Sequence, residues 1–350
     1  MKILYAIQGT GNGHLSRALE IIPILQKKGT LDILVSGTQA DLSLPYPVKY
    51  RLRGLSFIFG KKGGVNLWNT FLRNDTVRAL RDIKNLPIDQ YDLIINDFEP
   101  ISAWAAYLRG KPCIALSHQC AVLSANAPLP DRKSRLARFI LNHYAPASFK
   151  YGFHFKRYNE NTYTPVIRKQ IRELDVSDKG HYTVYLPSIG DKKLIKTFKK
   201  FKNTKWEVFS KHTKKALFTE NISLMPINHD AFIKSLASCS GIICGAGFET
   251  PSEALFLKKK LLVIPMKNQY EQHCNAAALK TLGVPVIKNL KEKKIDRWLW
   301  YRPIIQVDFP DQTEGIIDHL IQNHLSSKPS VWRSKLDEYA QVQSNVALEG

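Results

Sequence analysis

The chain predicts an α/β fold: two Rossmann-like domains, each a parallel sheet covered by helices, facing each other across a cleft. Three observations carry this expectation. Apolar runs along the chain are continuous and not alternating, which marks strands buried on both faces. Helix-period segments separate these runs, as in successive βα units. The alternation loosens between Asn126 and Thr164, around Pro128, Pro130 and Pro146, and then begins again. The expected division is therefore 1–160, 161–325 and a polar tail, 326–350, read either as a helix crossing back or as partly disordered.

In the first half, Ile3–Ile7 reads as strand, Leu15–Lys28 as a helix closed by Gly29, and Leu31–Ser36 as a second strand. Val48–Leu52 is a third strand. Asn69–Leu86 is a helix stopped by Pro87, Leu93–Asn96 a strand ending in Asp97, Ser102–Tyr107 a helix and Cys113–Leu116 a strand. The domain crossing falls near Arg157–Pro165. Beyond it, Tyr182–Leu186 is strand and Lys192–Phe201 helix, and Trp206–Ser210 is strand. Ala231–Ser238 is helix and Gly241–Cys244 strand, followed by helix Pro251–Leu257 and strand Leu261–Ile264. Helix Glu271–Leu282 ends at Gly283.

At 350 residues the chain is long enough for two ordinary domains, and 44% hydrophobic residues suffice for packed cores. Lys+Arg 51 against Asp+Glu 30 gives a net charge of +21. That excess favours a polyanionic partner, either nucleic acid, an anionic membrane face or a phosphorylated substrate. Five cysteines without a CxxC pair are read as reduced, with no disulfide or zinc framework. No leader-like segment and no spanning apolar run is visible, so a cytoplasmic protein is expected. The base-stacking motifs of common RNA modules are absent, which argues against nucleic acid.

Two glycine loops carry the chemistry. Gly9-Thr10-Gly11-Asn12-Gly13-His14 follows the first strand, with His14 where a dinucleotide fingerprint would need its third glycine. His14 is either an ordinary residue at a helix start or a group placed for chemistry at the sheet edge. Gly245-Ala246-Gly247-Phe248 follows the strand Gly241–Cys244 and opens a helix. Its small residues let a phosphate approach the backbone, and the helix start offers free N–H groups. Within Thr250-Pro251-Ser252-Glu253, Glu253 is either the N3 member of a capping box or an acceptor for a ribose diol. Glu271-Gln272, after Pro265, puts an acid–amide pair at another strand-to-helix edge.

In this order and spacing the residues resemble a GT-B glycosyltransferase of the family 28 type and, more distantly, the UDP-glycosyltransferases. Gly9–His14 looks like the family's GGTGGH-like loop with Gln8 in place of its first glycine, and Gly245–Ala276 looks like its donor signature. The resemblance implies inverting, metal-independent transfer of a sugar from a nucleotide-diphosphate sugar, a UDP-sugar, to an acceptor hydroxyl. It makes Gly9, Gly11 and Gly13 the acceptor-side loop and His14 the base or the group that orients the acceptor. It makes Asp97 the partner of that histidine, with Glu99 in reserve. The alternative for Asp97 is a strand-end cap. Gly245, Ala246, Gly247 and Phe248 would hold the diphosphate, Glu253 the ribose, and Glu271 and Gln272 the sugar hydroxyls. Ser188 and Gly190 match a second phosphate loop, although Pro187 departs from the pattern. The donor is a substrate, and no cofactor is implied.

The basic stretches Arg51–Lys62 and Arg132–Leu141 suit an acceptor such as a lipid-linked or cell-envelope glycan at an anionic membrane, and equally a solvated surface. A nucleotide-sugar epimerase on the same fold, or a non-catalytic basic binding protein for nucleic acid or membrane, remains as the alternative.

Overall fold

A computed structural model of the chain describes residues 1–37, 44–55, 76–131, 134–300 and 304–325. The chain divides into two compact units. The first comprises Met1–Ala125, Ser134–Val166 and the chain from Asp311. The second comprises Ile167–Pro310 and a short segment from Asn126. The first unit gives way to the second at Val166–Ile167. The chain from Asp311 to 325 falls in the first unit, although the expected division has it in the stretch 161–325.

The first unit holds a seven-stranded sheet of order β3-β2-β1-β4-β5-β6-β7, parallel throughout. Its strands are β1 (Lys2–Gln8), β2 (Thr30–Ser36), β3 (Tyr50–Leu52), β4 (Leu93–Asp97), β5 (Ile114–Leu116), β6 (Phe149–Phe153) and β7 (Thr162–Tyr163). Ile3 to Ile7 are all fully buried. Leu4 and Ala6 join a core with Leu34, Ile94, Ile101 and Ala105, while their strand neighbours point to the opposite face. Helix α1 (Asn12–Lys28) buries Leu15, Ala18, Ile21, Ile22 and Leu25, an apolar stripe at helical spacing. The helices α2 (Thr76–Asn85), α3 (Pro100–Leu108), α4 (His118–Val122) and α5 (Arg135–Tyr144) follow. The expected helix from Asn69 is seen from Thr76, and residues 69–75 lie outside the described residues. The loose stretch 126–164 contains α5, β6 and β7, of which the sequence marked only the basic stretch Arg132–Leu141.

In the second unit a six-stranded sheet runs β10-β11-β9-β8-β12-β13, with β10 alone antiparallel. The strands are β8 (His181–Tyr185), β9 (Lys205–Ser210), β10 (Leu217–Phe218), β11 (Ile222–Pro226), β12 (Gly241–Cys244) and β13 (Lys260–Val263). Helices α6 (Lys169–Arg172), α7 (Asp191–Phe198), α8 (His229–Ser238), α9 (Glu249–Phe256), α10 (Tyr270–Thr281) and α11 (Glu292–Trp300) cover it. Val184, Phe198, Trp206, Ile243, Leu262 and Trp298 are buried in its core.

The last helix, α12 (Thr313–Leu325), returns to the first unit and packs on α1, with Lys28 Nζ 2.6 Å from Asp318. The tail 326–350 lies outside the described residues, as does most of the basic stretch 51–62. Among the described residues no helix is long and apolar enough to cross a membrane. The five cysteines are free.

Strand order fixes where each unit can bind. In the first sheet β1 leads to β2 and β3 on one side, and β4 starts the other side. In the second, β8 leads to β9 and β11 on one side, and β12 and β13 lie on the other. A crevice forms at the carboxyl ends where the winding direction reverses. These points are the ends of β1 and β4 in the first unit and of β8 and β12 in the second.

Candidate active site

At the first reversal the chain leaves β1 through Gly9, whose amide donates to the Ser36 carbonyl at 2.6 Å. A Cβ on Gly9 would stand 2.9 Å from Val35 Cγ1, so the close approach of β2 requires glycine here. Gly11 is the N-cap of α1, and the helix begins at Asn12, earlier than expected. Gly13 therefore lies in the first turn and not in the loop, and His14 is the third helical residue. Gln8, buried, donates from Nε2 to the Tyr144 hydroxyl at 2.7 Å and accepts from Ser36 Oγ at 3.3 Å.

His14 Nδ1 lies 2.8 Å from Asp97 Oδ1. His14 is 13% exposed and Asp97 fully buried, so only the imidazole of this pair reaches solvent. Arg17, one turn along the same helix face, donates from Nε to Asp97 Oδ2 at 3.0 Å and from Nη2 to both carboxylate oxygens at 2.8 Å. Burial opposes ionisation of Asp97, but the Arg17 guanidinium and His14 outweigh it and hold the carboxyl below its ordinary range. Arg17 was not among the expected site residues. Its spacing from His14 was the available signal.

Phe98 has a left-handed backbone (φ 58°), which is costly for an aromatic residue. The turn sets its ring parallel to His14, 6.5 Å between centroids, and tilted by 39° against Tyr144 at 4.8 Å. Gln119, at the start of α4, brings Nε2 within 3.5 Å of His14 Nε2. Glu99 does not reach His14. Its carboxylate caps α3, accepting from the Ile101 and Ser102 amides at 2.8 and 2.6 Å and from Ser102 Oγ at 2.5 Å. The strand-end cap is thus Glu99, and Asp97 is free of that duty. Burial raises the Glu99 carboxyl above its ordinary range despite these donors.

In the second unit, Gly245-Ala246-Gly247 joins β12 to α9, whose N-cap Phe248 supplies no side-chain acceptor. Its first amides are therefore not satisfied by a cap. A Cβ on Gly247 would meet nothing within 4 Å, and one on Gly245 would meet only the Gln272 amide, at 3.6 Å. The loop is fixed from behind by Asn275, fully buried, which donates to the Ala246 carbonyl at 3.1 Å. Gly245 N also donates to Tyr185 O at 3.3 Å, tying this loop to the end of β8. There Ser188 is exposed, and Gly190 is the N-cap of α7, with open space where a Cβ would be. Gln272 accepts from the Met266 amide at 2.9 Å, and Glu271 stands in the first turn of α10.

The capping box at Thr250–Glu253 does not form. Helix α9 begins at Glu249, which places Glu253 in its second turn, too far from the helix start to cap it. Glu253 is buried and accepts at Oε1 from Arg168 Nε and Nη2, each at 2.7 Å. Burial raises its carboxyl above the ordinary range, and Arg168 only partly offsets this. Arg168 Nη1 also lies 3.2 Å from His229 Nε2. Among the described residues no group of three or more His, Cys, Asp or Glu side chains is placed to hold a metal ion.

A family model described as glycosyl transferase family 1 matches residues 1–303. A search of curated proteins found no match. Among solved structures, the chain is similar to MurG of Acinetobacter baumannii, at 17% identity and a TM-score of 0.54, with 92% of this chain and 99% of that one covered. It is also similar to UGT2 of Phytolacca americana, solved with UDP-2fluoro-glucose and pterostilbene (15% identity, TM-score 0.55, 97% and 98% covered). UGT89C1 of Arabidopsis thaliana, solved with UDP, is a third (12%, 0.55, 97% and 98%). At such identities the shared property is the fold, and it is the GT-B fold.

Proposed function

We propose, from the premise that this chain belongs to glycosyl transferase family 1 and is a glycosyltransferase, that it moves a sugar from a UDP-sugar to an acceptor hydroxyl with inversion and without a metal. The observation that carries the reading is the contact of His14 Nδ1 with the buried, ionised Asp97 at the first sheet's reversal point.

The carboxylate accepts Nδ1–H and leaves the lone pair on Nε2, the nitrogen positioned to take a proton from an acceptor hydroxyl. The deprotonated oxygen attacks the anomeric carbon as the bond from that carbon to the diphosphate oxygen breaks. In this reading the loop Gly245, Ala246, Gly247 and Phe248 holds the departing diphosphate, with Gly245, whose own amide is given to Tyr185 O, allowing its close approach. The α9 dipole offsets the charge that develops there. Ser188 and Gly190 stand at the second loop of the same reversal point. Glu253, fixed by Arg168, takes the ribose, and Glu271 with Gln272 the sugar hydroxyls. The UDP complexes of the Phytolacca americana and Arabidopsis thaliana proteins support UDP as the nucleotide.

For the acceptor we propose a lipid-linked or cell-envelope glycan met at an anionic membrane. Helix α5 supports this, since it exposes Leu136 and Phe139 beside Arg135 and Arg138.

The test is thermal stabilisation by a panel of nucleotides and nucleotide sugars, followed by transfer assays on His14→Ala. UDP species should raise the midpoint, and the variant should bind UDP yet transfer nothing. No shift with any nucleotide sinks the donor assignment. Loss of UDP binding in His14→Ala would make His14 a phosphate ligand. Isomerisation of the donor without acceptor would mark an epimerase.

A further inference from the structure

We infer that Arg17 is a positioning residue: it fixes Asp97 against Nδ1 of His14 and thereby holds the imidazole in the tautomer whose Nε2 is unprotonated. The inference rests on the reading of His14 as the base, and it concerns a residue that neither glycine loop singles out.

A carboxylate held by one contact turns easily about its terminal torsion, which is broad and roughly two-fold. Asp97 is held by several. Arg17 Nη2 reaches both of its oxygens and Nε reaches Oδ2, a planar fork on a planar acceptor. The fork is itself fixed, because Arg17 is 3% exposed and its guanidinium carbon lies 5.5 Å from the centre of the Phe153 ring. With the carboxylate so fixed, Oδ1 faces His14 Nδ1 at 2.8 Å.

The tautomer follows from counting protons. Arg17 Nη2 also lies 3.2 Å from His14 Nδ1. Were Nδ1 to accept from Arg17, its lone pair would face a carboxylate oxygen at 2.8 Å, a repulsive contact. With the proton on Nδ1, the histidine donates to Oδ1, and Arg17 keeps both carboxylate oxygens as acceptors. That arrangement makes the shortest contact, at 2.8 Å, a hydrogen bond and leaves only the longer Arg17 Nη2 approach, at 3.2 Å, without one. A lysine would supply the charge to a buried carboxylate but not the two-point hold.

The experiment reads the His14 ring by nitrogen-15 NMR of histidine-labelled protein at a pH where the ring is neutral, assigned by the signal lost in His14→Gln. The wild type should show Nδ1–H. Arg17→Lys, which keeps the charge, should show a mixture of tautomers and lose ~10²-fold in kcat, with KM for the donor and UDP affinity unchanged. Should that variant fail to fold, Arg17→Gln, which keeps one donor to Asp97, is read in the same way. An Nε2–H ring in the wild type overturns the inference, and so does a folded variant with wild-type tautomer and kcat. The tautomer is measured without turnover, so a wild type that transfers nothing would overturn the proposed function and leave this reading to the spectrum.

Discussion

Gln8 and Tyr144 are joined by a buried hydrogen bond of 2.7 Å across 136 residues of sequence. Gln8 stands where the resembling glycine loop has its first glycine. Tyr144 ends the basic helix α5 and packs at a tilt against Phe98, whose ring lies parallel to His14. The Tyr144 hydroxyl also donates to the Leu55 carbonyl. One glutamine thus ties α5 to the wall of the site.

Restoring the family's glycine should therefore weaken the protein. Gln8→Gly leaves the Tyr144 hydroxyl short of a partner, removes a buried side chain and loosens the strand end. A loss of about 1 to 3 kcal/mol is expected, read as a lower urea midpoint. Tyr144→Phe should cost no more, because it removes only the hydroxyl. A Gln8→Gly variant as stable as wild type would show that the bond adds nothing.

Burying Glu253 against Arg168 sets up a second prediction. Arg168→Met should destabilise by about 3 to 5 kcal/mol, since it strands a buried carboxylate. Arg168→Met combined with Glu253→Gln removes both charges and should recover most of that loss. UDP affinity of the refolded double variant then separates two roles. If Glu253 holds the ribose, affinity stays low although stability returns. Wild-type affinity would leave Glu253 a structural partner of Arg168 and nothing more.

How much of this was legible in the sequence depended on where each signal lay. The buried strands β1, β4 and β12 announced themselves as apolar runs, and β8 as a run of tyrosine, threonine and valine. The loops after them placed His14, Asp97 and Gly245–Phe248 at sheet edges. Arg17 was hidden by its ordinary role, since a cation one turn along a helix reads as surface until Asp97 arrives from β4. Thr250–Glu253 carried a genuine capping pattern, but α9 starts two residues earlier and Arg168 claims the glutamate. Strands β6 and β7 were missed because Phe149-Lys150-Tyr151-Gly152-Phe153 mixes a lysine and a glycine with aromatics, and β7 has only two residues. The return of α12 to α1 is a tertiary choice with no local sequence signature.

The acid limb of stability should report on Asp97. Its carboxyl is lowered in the folded protein, so its contribution is fully present above the ordinary carboxylate value of about 4. That contribution is lost as pH falls through the lowered folded value. Asp97→Asn has no such titration. The stability gap between wild type and Asp97→Asn should therefore be flat at neutral pH and narrow below about pH 4, as measured by urea unfolding across that range. A gap that does not change with pH would mean the carboxyl is not held ionised by Arg17 and His14.

Helix α5 gives the membrane proposal its measurable form. Leu136 is 52% and Phe139 60% exposed, two apolar side chains that the fold leaves uncovered beside Arg135 and Arg138. A surface helix of this kind buries its apolar residues at the acyl boundary and pairs its cations with anionic headgroups, each near-surface cation contributing about 1 kcal/mol. The protein should sediment with phosphatidylglycerol vesicles at low salt and much less with phosphatidylcholine vesicles. Arg135→Glu with Arg138→Glu reverses four units of charge and should abolish the difference, while Leu136→Ser with Phe139→Ser should weaken binding even at low salt. Arg135, Leu136 and Phe139 are exposed and Arg138 is partly so, and none is in the core, so the urea midpoint should stay close to wild type. Equal sedimentation of wild type and both variants would show that α5 is a solvated face and that the net charge of +21 acts elsewhere on the chain.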